Sequence, residues 1–207
     1  SRPRNLCPDT DWNFIPHEEA AMEIFHLTHD DYQTSRWSGG TTTCLYLYPS
    51  NGDYPSRRFR VRISSAVIEL PESDFTPLEG VTRFITPLAG GFTLTHGDGD
   101  GKVMSPLDRP YRFSGDLPTH SVGRATDFNL MLKDATGDMT VEQGQLRVRP
   151  GLNAYYTIET CKITCGDQLF DMQAGELLLV FTDTGLTLSS SKGPIICCYA
   201  ALMVPGT

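Results

Sequence analysis

The sequence predicts an all-β protein built from two barrels, and three observations support this fold class. Apolar and polar residues alternate over short stretches, and helical spacing is scarce across the 207 residues. Turn-forming segments such as "PSNGDYP", "GDGDG" and "CGDQ" separate these stretches, as they do in β-sandwiches and barrels. A strand–turn–strand pattern in residues 85–116 also returns in residues 155–183, which indicates that one β unit is duplicated.

The strands of the N-terminal half are predicted from β-branched and aromatic residues at alternate positions. "MEIFHLT" and "TCLYLY" come first, and "RFRVRISSAVI" follows the turn "PSNGDYP". "VTRFITP" precedes a glycine pair, "GFTLT" begins at its second glycine, and "YRFS" and "DFNLML" come after the acidic turn. In chain order, these predicted strands are residues 22–28, 43–48, 58–68, 81–87, 91–95, 111–114 and 127–132.

The C-terminal half shows the same pattern with longer apolar runs. "LLLVF" and "PIICCYAALMV" are typical of buried strands. Two other segments have helical character, "HEEAAMEIF" at residues 17–25 and "HDDYQ" at residues 29–33. The predicted strands of this half are residues 138–149, 154–163, 168–172, 177–182, 185–190 and 194–204.

Charge and composition argue against several classes of partner. The net charge of −8 and the pI near 5.0 disfavour nucleic acid and anionic membranes, since both require a basic face. No apolar run is long enough to span a bilayer, and "SRPRNLCPDTDWNF" lacks the apolar core of a secretory signal. We therefore expect a cytoplasmic protein with neither nucleic-acid nor membrane partners, and the composition leaves its oligomeric state open.

The six cysteines are predicted to be reduced and structural. Cys161 and Cys165 do not have the spacing of a zinc knuckle, and no second pair lies at a useful distance. Cys197 and Cys198 lie in an apolar strand whose alternation sends one thiol to each face. Because buried cysteine behaves as a small hydrophobe, this usage indicates a reducing compartment.

Two predicted strands carry polar residues along one face. In "FRVRISSA" the arginines alternate with apolar core residues. In "TDFNLML" an aspartate and an asparagine alternate with apolar core residues in the same way. Guanidinium groups beside small side chains are suited to carboxylate recognition. A solvated strand face is the alternative for both strands. The residues of the two polar faces are Arg60, Arg62, Ser64 and Ala66, and Asp127, Asn129 and Met131.

Arg83 lies between Val81 and Ile85 on one face of "GVTRFITPLAGG". A buried arginine without a partner is costly. Arg83 is therefore expected either to pair with a carboxylate, such as Asp116 or Asp127, or to point into a polar cavity. The sequence leaves both alternatives open.

The stretch "RWSGGTTTCLYLYP" places a bulky indole before two glycines and a run of threonines. Gly39 and Gly40 permit backbone angles closed to other residues, and they allow other groups to approach closely. Valine or isoleucine could fill the volume of a threonine but would supply no hydroxyl. The stretch therefore indicates a lined surface as well as a turn.

No motif for metal or nucleophilic catalysis is present. The five histidines do not form the His-x-His, Glu and later His that bind a metal in barrels of this kind. Ser114 and Cys44 are candidate nucleophiles and His120 a candidate base, but no G-x-S-x-G context surrounds them. No Walker loop or dinucleotide fingerprint occurs either. We therefore predict no metal, no cofactor and no catalytic residue.

An ordered set of short motifs resembles the HutD/Ves family of cupin-fold proteins. The motifs run in the family's order between residues 22 and 135, with fainter similarity beyond. They are Trp37-Ser-Gly39-Gly40-Thr41-Thr42 with Pro49, Arg62-x-Ser64-x-Ala66, Phe75-Thr76 with Gly80-Val81-x-Arg83, Leu88-x-Gly90-Gly91, Pro110-x-x-Phe113-x-Gly115-Asp116, and Asp127-Phe128-Asn129-x-Met131.

The resemblance implies a bicupin, in which two cupin-like, jelly-roll-type barrels with few helices are packed in one compact unit. It divides the chain into an N-terminal extension of residues 1–21, a first barrel of residues 22–135 that carries the motifs, and a second barrel of residues 136–207. Strands are expected to be exchanged between the two halves.

The resemblance also implies a function without the metal-binding histidines of other cupins. HutD is linked to histidine utilisation as a regulatory or ligand-sensing accessory, with N-formylglutamate as the favoured ligand, and Ves-type members are linked to stress or cold response. The expected function is thus a metal-independent binder of a small anionic metabolite.

The alternatives are an isomerase or hydrolase that uses Arg62 and Asp127 on a small carboxylate, and a protein-interaction module. The residues expected to line the first barrel's cavity are Trp37, Thr41, Thr42, Arg62, Ser64, Arg83, Asp127 and Asn129.

Two departures from the family pattern bear on the ligand more than on the fold. Family members commonly carry a glutamate where this chain has Cys44, and the spacing from the tryptophan to the glycines is shorter than in the proteobacterial form. Residues 1–21 have the look of an added N-terminal extension, and Trp12, Phe14 and Ile15 are candidates to dock it on the barrel.

Overall fold

The computed structural model describes residues 22–202 and divides them into two β units. The first unit is formed by residues 32–134, and the second unit combines residues 22–31 with residues 135–202. The helical structure of the described residues is limited to the 3₁₀ turn His29–Asp31. No helix in this part of the chain is long and apolar enough to cross a membrane.

Nineteen strands make up the two units. In chain order they are β1 (Met22–Leu27), β2 (Gln33–Trp37), β3 (Gly40–Tyr48), β4 (Val61–Ile68), β5 (Glu72–Phe75), β6 (Val81–Gly90), β7 (Phe92–His96), β8 (Lys102–Met104), β9 (Tyr111–Ser114), β10 (Thr119–Val122), β11 (Ala125–Lys133), β12 (Thr136–Glu142), β13 (Gln145–Val148), β14 (Gly151–Thr157), β15 (Cys161–Cys165), β16 (Gln168–Met172), β17 (Leu177–Thr182), β18 (Leu186–Ser190) and β19 (Ile195–Ala201).

The first unit consists of two antiparallel sheets that share a core. Its six-stranded sheet has the order β2-β3-β4-β11-β6-β9, and its four-stranded sheet has the order β5-β10-β7-β8. Ile85 and Phe113 of the larger sheet pack in one hydrophobic cluster with Leu94 and Met104 of the smaller sheet. The two sheets therefore face each other as a barrel of the jelly-roll type.

The second unit repeats this plan. Its five-stranded sheet has the order β1-β17-β14-β19-β12, and its four-stranded sheet has the order β13-β18-β15-β16. Tyr155 and Leu178 of the larger sheet pack with Leu146 and Ile163 of the smaller sheet. This interior is filled with apolar side chains, which distinguishes it from the interior of the first unit described below.

The strand pairing confirms the predicted duplication. The run β4-β11-β6-β9 of the first unit corresponds to β12-β19-β14-β17 of the second, and β5-β10-β7-β8 corresponds to β13-β18-β15-β16. Within these runs corresponding strands have corresponding neighbours, while β4 pairs in addition with β3 and β17 with β1. The all-β class and the two jelly-roll-type units predicted from the sequence are therefore what the chain forms.

Strand β1 is the exception to a simple division of the chain into two halves. It pairs with β17 from Met22 opposite Thr182 to Leu27 opposite Leu177. Residues 22–31 therefore belong to the second unit, although the sequence assigned them to the first barrel, because backbone pairing with a distant strand decides where a terminal strand lies. The predicted extension, with Trp12, Phe14 and Ile15, lies outside the described residues.

Other differences from the predicted elements concern short or interrupted strands. Strands β2, β5, β8 and β10 have no counterpart in the predicted set. Residues 138–149 and 154–163, each predicted as one strand, form two strands apiece, and Gly144 makes the first break with a φ of +80°. Of the two segments with helical character, "HDDYQ" contains the 3₁₀ turn. The described part of "HEEAAMEIF" is strand, because β1 pairs with β17.

The cysteines of the described residues are all free thiols. Cys161 and Cys165 belong to the apolar cluster of the second unit, and Cys197 packs at its margin. Burial raises the pKa of each of these three thiols, so they remain neutral. They act as small hydrophobic side chains, in agreement with the structural role predicted for them.

Candidate functional site

The candidate site lies on the face of the six-stranded sheet that is turned toward the four-stranded sheet of the first unit. Paired residues of neighbouring strands point to the same side, so the register decides which side chains meet. Arg62, Met131 and Arg83 form one row across β4, β11 and β6. The Arg83 guanidinium carbon lies 4.7 Å from the ring centre of Phe75, which belongs to the opposite sheet, so this face is the interior. Further along the same face lie Ser64, Ala66, Asp127 and Asn129.

Arg62 is buried against neutral groups. Its Nη1 donates to the Ser64 hydroxyl at 3.1 Å and lies 3.8 Å from the Met131 sulfur. Its guanidinium carbon is 3.9 Å from the centre of the Tyr54 ring, a cation–π contact. Its Nε has no hydrogen-bond partner among the described residues. With 6% of its surface exposed, Arg62 does not lie on a solvated strand face, the alternative that the sequence left open.

Cys44 lies beside this arginine and does not offset its charge. Cys44 pairs with Ser64 in the register of β3 and β4, which places it on the interior face. Burial raises the pKa of its thiol, although the nearby Arg62 acts in the opposite direction. The thiol is therefore neutral at physiological pH, and the position supplies no carboxylate to Arg62.

Arg83 reaches the buried carboxyl only through an amide. Its Nη2 donates to Oδ1 of Asn129 at 3.1 Å, and the Asn129 Nδ2 donates to Oδ1 of Asp127 at 3.0 Å. Asp116, the other carboxylate considered from the sequence, accepts instead from the Ser114 hydroxyl in an exposed turn. Burial lowers the pKa of Arg83 to about 10, so the side chain is still charged at neutral pH.

Asp127 is the one buried acid among the described residues of the first unit. Its Oδ1 accepts from Asn129 and, at 3.3 Å, from the backbone N–H of Ala66. Burial raises the pKa of Asp127 to about 6, while the hydrogen bond from Asn129 and the charge of Arg83 oppose that rise. Near neutral pH this interior therefore carries two guanidinium charges against one carboxylate.

Buried polar atoms without partners are concentrated in the first unit. Within the described residues, six buried side-chain nitrogen or oxygen atoms make no hydrogen bond, and all six lie between residues 32 and 134. Leaving such an atom unpaired costs about 1–3 kcal/mol, so native structures contain few of them. This concentration indicates a site built to receive polar groups. The six atoms are Trp37 Nε1, Arg62 Nε, Ser73 Oγ, Arg83 Nε, His96 Nε2 and Ser121 Oγ.

The second unit provides an internal comparison. Its buried polar side chains all make hydrogen bonds, and its partly exposed Arg149 forms an ion pair. Arg149 stacks 3.7 Å from the ring centre of Tyr199, as Arg62 does on Tyr54, but it also donates hydrogen bonds of 2.7 and 2.5 Å to Asp138. None of the ion pairs found within residues 22–202 involves Arg62 or Arg83.

The Trp-Gly-Gly-Thr stretch forms the hairpin between β2 and β3. The Trp37 indole folds over Gly39, where a Cβ would lie 2.0 Å from Cζ3 of the indole. Thr42 pairs with Ala66 and faces the interior, whereas Thr41 pairs with Val67, which is 43% exposed. Strand alternation therefore places Thr41 on the opposite face from the arginines, and it is not one of the residues that the structure brings together.

Aromatic and histidine side chains that were not among the expected site residues complete the interior. Tyr54 and Phe75 cover the two arginines, and Phe113 lies 5.3 Å from the Arg83 guanidinium. His96 packs on Phe113 with ring centres 4.9 Å apart. Phe75 and Phe113 fall within the motifs of the family resemblance, but nothing in the local sequence around Tyr54 or His96 indicates such a role.

A groove in the second unit is a weaker candidate. It has a volume of about 520 Å³ and is lined by Gln145, Arg147 and Thr187, among others. The two arginines on its wall are Arg149, which is paired with Asp138, and the exposed Arg147. No buried unpaired atom of the described residues lines it. Its chemistry is that of an ordinary polar surface.

The described residues contain no cluster of three or more His, Cys, Asp or Glu side chains that could hold a metal ion. The polar interior of the first unit instead combines two cationic groups, one carboxyl, one amide and several hydroxyls. Arginines stacked on aromatic rings, each with an unpaired Nε, are suited to a carboxylate or a similar planar anion.

Comparisons with known proteins agree on the fold and the family. The model of the HutD family matches residues 29–197. A conserved protein of unknown function from Pseudomonas aeruginosa PAO1 is 20% identical, with a TM-score of 0.74 over 85% of this chain and 96% of its own. HutD from Pseudomonas fluorescens SBW25 is 21% identical, with a TM-score of 0.72 over 86% of this chain and 98% of its own.

More distant solved structures share the fold alone. The bacterial pirin YhhW from Escherichia coli, solved in complex with nickel(II), is 9% identical with a TM-score of 0.57 over 86% of this chain and 98% of its own. No curated protein matches the chain.

Proposed function

The chain belongs to the HutD family, and from that premise we propose that it is a cytoplasmic, metal-independent binder of a small anionic metabolite with a regulatory role in histidine utilisation. N-formylglutamate is the first ligand to test, because it carries two carboxylates and the first unit has two inward-facing guanidinium groups. The site proposed for it is the interior face formed by Arg62, Ser64, Arg83, Asp127 and Asn129.

The uncompensated charge of this interior carries the proposal. Burying a charge is costly unless a partner of opposite sign lies close by. Arg62 and Arg83 are both buried and neither makes an ion pair within the described residues, whereas even the partly exposed Arg149 of the second unit has one. A bound carboxylate would supply the missing partner and would satisfy the unpaired Nε atoms.

A thermal-shift screen of the unmutated protein tests the proposal. The probes are N-formylglutamate, glutamate, urocanate and histidine, each at millimolar concentration. A ligand present at a hundred times its Kd stabilises the folded state by about 2.7 kcal/mol, which raises the Tm of a protein of this length by roughly 5–10 °C. We expect N-formylglutamate to give the largest shift. If none of the four compounds stabilises the protein, the proposal is contradicted.

Replacing Arg62 by lysine is expected to weaken binding of N-formylglutamate by roughly 1–3 kcal/mol, the range for hydrogen bonds to charged groups. Lysine keeps the positive charge but cannot offer two parallel donors to a carboxylate. The unliganded protein should lose little stability, because Arg62 donates to one hydroxyl and has no carboxylate partner. Titration calorimetry measures the binding, and thermal unfolding measures the stability.

Arg36→Lys is the matched control for this prediction. Arg36 is also on the six-stranded sheet, but it is exposed and pairs with Glu69. Its substitution should leave ligand affinity unchanged. A large loss of stability in Arg62→Lys without ligand would instead show that Arg62 is a structural residue.

One observation favours a catalytic alternative, an isomerase or hydrolase acting on a small carboxylate. The pKa of the buried Asp127 is raised to about 6, close to the range that suits a general acid or base at neutral pH. Proton NMR of N-formylglutamate incubated with the protein separates the two functions. A binder returns the compound unchanged, whereas an enzyme produces new signals at a rate that falls in Asp127→Asn.

A further inference from the structure

The four-stranded sheet of the first unit presents its own polar groups to the same interior. Thr119 pairs with Phe75 on one side and with His96 on the other, so these three side chains form a row on one face. Phe75 lies against the Arg83 guanidinium, and the His96 ring lies against Phe113, which also contacts Arg83. This row therefore faces the arginine row of the larger sheet.

The contacts of Thr119 indicate which ring nitrogen of His96 carries the proton. The Thr119 hydroxyl donates its single proton to the carbonyl oxygen of Leu117 at 3.0 Å. With that proton engaged, the hydroxyl accepts from Nδ1 of His96, which lies 2.9 Å away. Nδ1 carries the proton, and burial, which lowers the pKa of His96, keeps the ring neutral. Nε2 is thus a hydrogen-bond acceptor.

This acceptor is buried and has no partner among the described residues. The Nε2 side of the ring is held in place, since the ring packs between Thr119 and the rings of Tyr111 and Phe113. Two further unpaired atoms on this sheet, the hydroxyls of Ser73 and Ser121, belong to residues paired with each other in the adjacent row. The smaller sheet therefore offers a fixed acceptor and two hydroxyls opposite the cationic wall.

We propose that His96 is a ligand-binding residue that accepts a hydrogen bond from an N–H or O–H group of the anion held by the arginines. The inference rests on the proposed function and narrows its ligand class. The preferred ligand would be a carboxylate with a hydrogen-bond donor attached to its chain, such as an acylated amino acid, in preference to a plain dicarboxylate of equal charge. A carboxylate has no hydrogen to donate to Nε2 of His96. The hydrogen-bond donor must therefore come from another part of the ligand.

The test compares two dicarboxylates that differ by one formamido group. Glutarate and N-formylglutamate share the five-carbon diacid chain, and only the second carries an amide N–H. Titration calorimetry should show that the unmutated protein binds N-formylglutamate roughly tenfold more tightly than glutarate, the size expected of one hydrogen bond. In His96→Asn the two affinities should become equal. Asparagine can still donate to Thr119 from the Nδ1 position, but it has no atom at Nε2.

Two other variants separate this role from a packing role. His96→Gln places an amide oxygen near Nε2 and should restore part of the preference, whereas His120→Asn changes an exposed histidine of the neighbouring strand and should leave the preference intact. Nitrogen-15 NMR of the unmutated protein provides a readout that does not depend on a variant. The Nε2 resonance of His96 should shift on addition of N-formylglutamate and much less on addition of glutarate.

The outcomes distinguish a failure of the role of His96 from a failure of the proposed function. Equal affinity of the unmutated protein for the two diacids, or an undiminished preference in His96→Asn, would overturn the role of His96 and leave anion binding in place. If neither diacid binds, the proposed function fails and the role of His96 fails with it.

Discussion

Replacing Asp127 by asparagine should make the unliganded protein more stable at pH 7.5, by about 3 kcal/mol, and should flatten its stability between pH 4 and pH 6. The reason is that the Asp127 pKa lies near 6 in the folded protein, against 3.8 for an ordinary aspartate. Burial destabilises the ionised carboxylate. The hydrogen bonds from Asn129 and the Ala66 N–H and the charge of Arg83 stabilise it by a smaller amount. Asparagine resembles the protonated acid and avoids this penalty.

The direction of the pH dependence follows from where the proton resides. Below pH 3.8 the carboxyl is protonated in both the folded and the unfolded chain, so Asp127 costs nothing. Between pH 4 and pH 6 the unfolded chain has released this proton while the folded chain still holds it, so stability falls as the pH rises. Above pH 6 the loss is complete and remains constant.

Urea unfolding at pH 4, 5, 6 and 7.5 measures this prediction as a difference between the unmutated protein and Asp127→Asn. Asp53→Asn is a control of opposite sign. Hydrogen bonds from Ser56 lower the pKa of the exposed Asp53, so its contribution is present at neutral pH and is lost as the pH falls toward that pKa. If Asp127→Asn destabilises the protein at pH 7.5, the attraction between Asp127 and the arginines outweighs the cost of burial.

The second large effect is expected for Gly40→Ala, which should destabilise the protein by at least about 3 kcal/mol. Gly40 has a φ of +151°, a conformation that residues with a Cβ rarely adopt. A Cβ at this position would also lie 1.8 Å from the backbone oxygen of Val67. That oxygen belongs to β4, the strand that carries Arg62, so relief of the clash must shift the backbone of the site.

Gly97→Ala is the matched control. Gly97 has a positive φ of +54°, but a Cβ there would meet no atom within 4 Å. Its substitution should cost only the backbone strain, about 1–2 kcal/mol. Denaturant unfolding of both variants gives the comparison. Equal losses would mean that the close approach between β3 and β4 does not limit the residue at position 40.

Much of the fold was predictable because its signals are local. The alternation in "FRVRISSA" and "TDFNLML" placed Arg62 with Ser64 and Asp127 with Asn129, and the structure keeps both pairs on one face. The missed strands β2, β5, β8 and β10 have the sequences "QTSRW", "ESDF", "KVM" and "THSV", which lack apolar alternation. They become strands because a neighbouring strand satisfies their backbone hydrogen bonds, and that information is not contained in their own residues.

The candidate site was likewise predictable only in part. The sequence by itself determined which polar residues share a strand face, since a period of two follows from the extended backbone alone. Only the tertiary structure decided that this face is the interior and that Thr41 lies on the other side. It also decided that Arg62 and Arg83 lack the carboxylate that Arg149 has in Asp138. These facts depend on the pairing of strands far apart in the chain, such as β4 with β11, and on distances between side chains that no local pattern encodes.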